Sequence, residues 1–190
     1  MVYNYIIPYD KNKKELYYPG VISAAIGGFT SSYYFWKYPE ILYLDFSRVS
    51  NTYFKPYVYY MRGYSLTEAL LAIKDLDLGY IIHGTTLFIV LSYMIYTKQA
   101  ERAIVPLLAE NSTVWLNLYH SQKSIYYALA FAYTFLYYRW YIFPMYCWNY
   151  YAYFNDDGNY TPFVVIFNSL NLFWGIKIIN KISRKIAEAN

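Results

Sequence analysis

The chain has 190 residues and a net charge of +4; 58% of its residues are hydrophobic and 15% charged, well below the quarter or so that is charged in soluble domains. That length makes one domain, and the balance argues against a soluble fold. The basic excess lies largely in the two tails, which suits contact with anionic lipid and argues against nucleic acid as a partner.

The mean hydropathy is only +0.12, because 29 tyrosines count as slightly polar. Tyrosine suits the membrane interface, with its ring in the apolar zone and its hydroxyl in the wet zone. Cys147 is the single cysteine, so no internal disulfide is possible. With only His83 and His120 beside it, the ligand set for zinc, haem or an iron–sulfur cluster is missing, and no cofactor or metal is expected. No phosphate-cradling glycine loop or nucleophile elbow occurs.

Residues 1–17 read as a polar tail carrying Lys11, Lys13 and Lys14, without the pattern of a cleaved signal. A first apolar span, 18–36, holds Ser23, Ala24, Ala25, Gly27 and Gly28, small residues that let helices approach closely. A mixed-charge loop with Pro39 and Pro56 follows. The second span, 57–73, is weaker, with Arg62 near one end and Glu68 inside. Asp75 and Asp77 read as interfacial charges before the third span, 78–97. The fourth, 102–119, contains Glu110. The fifth, 124–148, contains Arg139 and Pro144. A turn at 155–159 precedes the sixth, 161–180, after which Lys181, Arg184 and Lys185 lead into a basic tail over 182–190. A run of roughly 20 apolar residues matches the hydrocarbon thickness, and in lipid such a run must be helical. The expected fold is therefore an all-α membrane bundle of about six transmembrane helices over 18–181. An even number of spans places both termini together. The terminal side then carries nine basic residues and the other side five, which orients the termini inward.

Glu110 and Arg139 cost about 2.5–3.5 kcal/mol each on insertion scales, so each needs a partner or a role. Similar depths in adjacent antiparallel spans make them candidates to pair with each other. Glu110, Thr113 and Asn117 recur at i, i+3 and i+7 on one helix face. They read either as the polar wall of an intramembrane cavity or as interhelical hydrogen-bonding groups. Asn168, Asn171, Trp174 and Lys177 form a drifting stripe on the last span, read chiefly as packing with a snorkelling lysine.

These polar marks, in order, resemble the TLC domain family (TRAM, LAG1, CLN8), in particular a short, degenerate member. The marks are Ile22-Ser23-Ala24, Gly63-Tyr64 followed by Glu68, Ile82-His83-Gly84, Glu110-Asn111-Ser112 with Asn117, Arg139 with Pro144, and Asn171, Trp174 and Lys177. The resemblance implies a TLC-like helical bundle and a lipid cavity built from Glu68, His83, Glu110, Thr113, Asn117, Arg139, Asn171 and Trp174. It also implies an acyltransferase as one outcome. Yet Gly84 stands where the family has a second histidine, and His120 is followed by Ser121 rather than an acid. A catalytic His83 would need Glu68 or Glu110 to orient it. The expected function is a non-catalytic accessory subunit of a large membrane complex. A protist respiratory-chain assembly of the mitochondrial inner membrane suits the tyrosine-rich composition, with membrane lipids and other subunits as partners. A ceramide-synthase-like acyltransferase, or a lipid sensor or transfer protein of the endoplasmic reticulum membrane, is the alternative.

Overall fold

The computed structural model describes residues 18–49, 51–74, 76, 78–122, 124–154 and 161–187. The polar N-terminal tail, Asp75 and Asp77, the turn at 155–159 and the last three residues lie outside them. Every regular element among the described residues is helical. Helices α1 (Tyr18–Lys37), α2 (Asn51–Lys74) and α3 (Leu78–Tyr96) are continuous. A fourth rod is assembled from a 3₁₀ turn (Ala100–Ala103), α4 (Ile104–Leu108) and α5 (Glu110–Gln122). A fifth joins α6 (Ile125–Phe135) to α7 (Phe143–Phe154) through a π-helical segment, Leu136–Ile142. The sixth is α8 (Thr161–Ala187).

Three boundaries differ from expectation. Pro56, assigned to the preceding loop, lies inside α2 near its start. The last helix runs on to Ala187, past the point where a tail was expected. The fourth segment, expected as one helix over 102–119, is broken at Ala109. Pro106 lies within α4, where it brings no N–H to the turn before it. The chain tightens there: Ala109 N donates to the Pro106 carbonyl and Ser112 N to the Ala109 carbonyl, each at 3.2 Å. In the fifth rod, Pro144 likewise leaves the Trp140 carbonyl without its usual donor. The backbone widens just before it, and Phe143 N donates to the Tyr138 carbonyl five residues back.

The core divides along the bundle. At the end carrying the 38–50 and 97–103 connections it is apolar: Phe35, Ile41, Phe54, Val58, Met61, Leu87, Leu91, Ile104, Leu107 and Leu108 pack as one cluster. Along α2 the buried positions are Phe54, Val58, Met61, Ser65, Ala69 and Ala72, steps of three or four that keep one seam against the neighbouring helix. Towards the α2–α3 turn the buried residues become polar.

The exterior reverses the usual arrangement. Glu110 is 2% exposed and Arg139 7%, whereas Leu129 is 61% and Leu70 59% exposed. Phe29, Trp36, Leu136, Val165, Leu172 and Ile179 also face outward. Large outward apolar surface with charged groups buried beneath it suits a chain whose solvent is lipid. Two of the helices, spanning Leu78–Tyr96 and Thr161–Asn180, are long and apolar enough by themselves to cross a membrane. Together they point to a membrane location.

Candidate functional site

Five elements converge on one polar cluster. It is built around the break at Ala109, where the chain turns from α4 into α5. The Ala109 carbonyl, which accepts from Ser112 N at 3.2 Å, gathers further donors there. Arg139, on the π-helical segment, meets it: Nη2 donates to the Ala109 carbonyl at 3.1 Å. Ser112 Oγ donates to the same carbonyl at 2.8 Å. The guanidinium spreads its other donors to Ser112 Oγ (2.9 Å from Nε), Asn171 Oδ1 (3.2 Å from Nη1) and Thr113 Oγ1 (3.4 Å from Nη2). Its face lies over the Phe135 ring, 5.4 Å from the centroid. The π segment also turns Trp140 so that Nε1 donates to the Asn171 carbonyl at 3.2 Å, which ties α8 to the same centre.

Beside the guanidinium sits an acid–imidazole–acid row. His83 Nε2 lies 3.6 Å from Glu110 Oε1 and 4.0 Å from Glu68 Oε2. Tyr64 OH donates to Glu68 Oε1 at 3.2 Å, whereas Glu68 Oε2 is buried without a hydrogen-bond partner. Glu110 opens α5, where the positive end of the helix dipole favours a carboxylate. The expected pairing of Glu110 with Arg139 is therefore corrected. The two occupy one cluster, but Glu110 lies against the His83 imidazole and Arg139 is held by neutral oxygens. The cause is the break at Ala109, which aims a carbonyl and two hydroxyls at the guanidinium before the carboxylate can reach it.

A cavity of about 40 Å³ opens against this cluster, lined by Glu68, Tyr80, His83, Thr113, Arg139 and Trp174, with Leu116, Phe131 and Phe135 completing its apolar wall. It holds about three waters, at 10–15 Å³ of accessible space each. Of the residues the sequence singled out, Glu68, His83, Glu110, Thr113, Arg139, Asn171 and Trp174 thus meet here. Asn117 is half-buried and outside the cavity lining: it lies two turns along α5, where the face it shares with Glu110 has drifted away. Asn168 is turned aside, its amide donating to the Val164 carbonyl at 2.9 Å. Lys177 caps the apolar rings next to the cavity, with Nζ 4.4 Å from the Phe173 centroid and 5.2 Å from Trp174.

Sequence reasoning missed Tyr80, Phe131 and Phe135. Tyr80 precedes His83 by three residues and so shares its helix face, a signal that was present. The two phenylalanines carry none, because an aromatic on an apolar helix looks the same whether it faces a cavity or lipid. Asn111 acts as a strut rather than a wall. Its amide donates to the Gly28 carbonyl (3.1 Å) and Ser32 Oγ (2.9 Å), locking α5 onto α1.

Gly84 has a local cause. A Cβ there would lie 2.8 Å from the Ser65 carbonyl oxygen and 2.9 Å from the Ala69 nitrogen, both backbone atoms of α2. The two helices meet too closely for any side chain, so a histidine beside His83 would force them apart.

Fold and site together define a helical bundle with an apolar exterior and an ion-and-hydrogen-bond centre. No protein-family model, no curated protein and no solved structure matches the chain.

Proposed function

We propose that this chain is a six-span, TLC-like bundle that serves as a non-catalytic subunit of a larger membrane complex. We place it among the accessory subunits of a protist respiratory chain, in the mitochondrial inner membrane. The observation that carries the reading is the state of Arg139: four separate oxygen acceptors, from α5, α8 and the Ala109 carbonyl, occupy its guanidinium. A group so fully engaged holds three rods together and leaves little to offer a substrate. The cavity beside it, about 40 Å³, has room for a few waters. Around this centre the exterior is apolar and tyrosine-rich, suited to lipid and to neighbouring subunits.

The discriminating measurement is native mass and co-purification in mild detergent. A large assembly of fixed stoichiometry is the expected result, and a monodisperse monomer would refute the subunit reading. A second reading, a lipid-modifying acyltransferase, draws on His83 lying between two carboxylates. A catalytic histidine typically contributes 10²–10⁴-fold. Purified protein given a sphingoid base and acyl-CoA should show no turnover. Turnover that disappears in His83→Ala would establish the enzyme instead.

A further inference from the structure

We propose that Glu68, His83 and Glu110 form an intramembrane proton-binding site, which holds one exchangeable proton centred on Glu68 Oε2 and His83 Nε2. The proposal depends on the cluster's geometry and holds whether or not the chain belongs to a complex.

The first observation is a count of charge. From α2 the cluster receives Tyr64 and Glu68, from α3 Tyr80 and His83, from α5 Glu110, and from the π segment Arg139. Helix α8 contributes neutral Asn171 and Trp174, with Lys177 turned over the Phe173 and Trp174 rings. With both acids ionised, Arg139 positive and His83 neutral, the centre carries one net negative charge. Side-chain exposures of 16% for Glu68, 12% for His83 and 3% for Glu110 leave little water to screen it. Such an excess in a medium of low dielectric is costly, and a single added proton removes it.

The second observation says where the proton goes. Glu68 Oε2 is buried and accepts no hydrogen bond. A buried carboxylate oxygen without a donor carries its full desolvation cost. Protonated, it becomes a donor, facing His83 Nε2 at 4.0 Å across a gap that a small shift or one cavity water closes. His83 in turn reaches Glu110 Oε1 at 3.6 Å, so the proton has three oxygen and nitrogen sites within one row.

The third observation is access. Glu68 lies six residues from the end of α2 and His83 five from the start of α3, about 7–9 Å from the α2–α3 turn at 1.5 Å per residue. The cavity lined by Glu68, Tyr80 and His83 has room for water at that end. On the far side stand Phe54, Val58 and Met61 of the apolar core. The site therefore loads and unloads from one face and does not conduct across the bundle.

The test uses the intact chain in lipid nanodiscs, with dicyclohexylcarbodiimide, which reacts with protonated carboxyls in apolar surroundings. The expected result is one adduct, mapped to Glu68 by peptide mass spectrometry. Its rate should fall at least about tenfold as pH rises from mildly acidic to mildly alkaline, because only the protonated acid reacts. Glu68→Gln should abolish it without moving it to Glu110. Infrared spectra of the unsubstituted chain should show a carboxyl C=O band that fades over the same pH range, which decides the matter even if the variant fails to fold. No adduct, an adduct on Glu110 or a surface acid instead, a rate independent of pH, or the absence of that band would each overturn the proposal. A monomer that still labels at Glu68 would refute the subunit reading and leave this one standing.

Discussion

Arg139 donates to the carbonyl of Ala109 at 3.1 Å, joining the π-widened turn of the fifth rod to the break in the fourth. The contact braces one irregular stretch against the other across the bundle.

Arg139→Leu should therefore be among the most damaging single changes. It strips donors from Ser112, Thr113, Asn171 and the Ala109 carbonyl, and takes the positive charge away from Glu110 and Glu68. Breaking such a buried arrangement costs about 3–5 kcal/mol. Arg139→Lys should recover only part of this, because an ammonium lacks the planar fork that serves several acceptors at once. Thermal unfolding in detergent, read as Tm, measures both. Parent-like stability in Arg139→Leu would contradict the assignment.

A surface pair gives the contrast. Arg48 Nη1 lies 3.0 Å from Glu40 Oε1, with Arg48 68% exposed. Exposed pairs contribute at most about 1 kcal/mol. Arg48→Ala should leave Tm within a few degrees of the parent, and a shift as large as that of Arg139→Leu would be unexpected.

Two glycines should respond in opposite senses to alanine. Gly84→Ala drives a methyl into the backbone of α2 and should destabilise by about 1–3 kcal/mol. Gly63, in the middle of α2, has nothing within 4 Å of the Cβ it would gain. Gly63→Ala should stabilise by about 0.5–1 kcal/mol through backbone entropy alone. Matched denaturation curves of the two variants test the packing directly.

Both termini should lie on one side of the membrane, the side with the greater basic count. Tags placed at each end should show the same protease accessibility in sealed vesicles. Opposite accessibility would mean an odd number of spans.

Much of this molecule was legible before any coordinates. Uncharged or nearly uncharged runs pointed to four of the helical rods, and the weaker second and fourth segments, which carry Glu68 and Glu110, are helical as well. Glu68, His83, Glu110 and Arg139 stood out because a charge within an apolar run is too costly to be incidental. Asn117 shows the limit. Spacing put it on the face of Glu110, but over two turns a helix drifts and the partner helix does not follow.

Composition and chain order by themselves determined an all-helical chain, its six segments and the small set of polar residues that had to be satisfied inside. Which of those residues meet was settled only by the tertiary structure. Pro144 marks the fifth span, yet nothing in the sequence says that Arg139 of that rod will reach the Ala109 carbonyl of the fourth. The reason is physical: hydropathy is a property of each residue, whereas a hydrogen bond is a property of two groups whose positions depend on how every intervening helix packs.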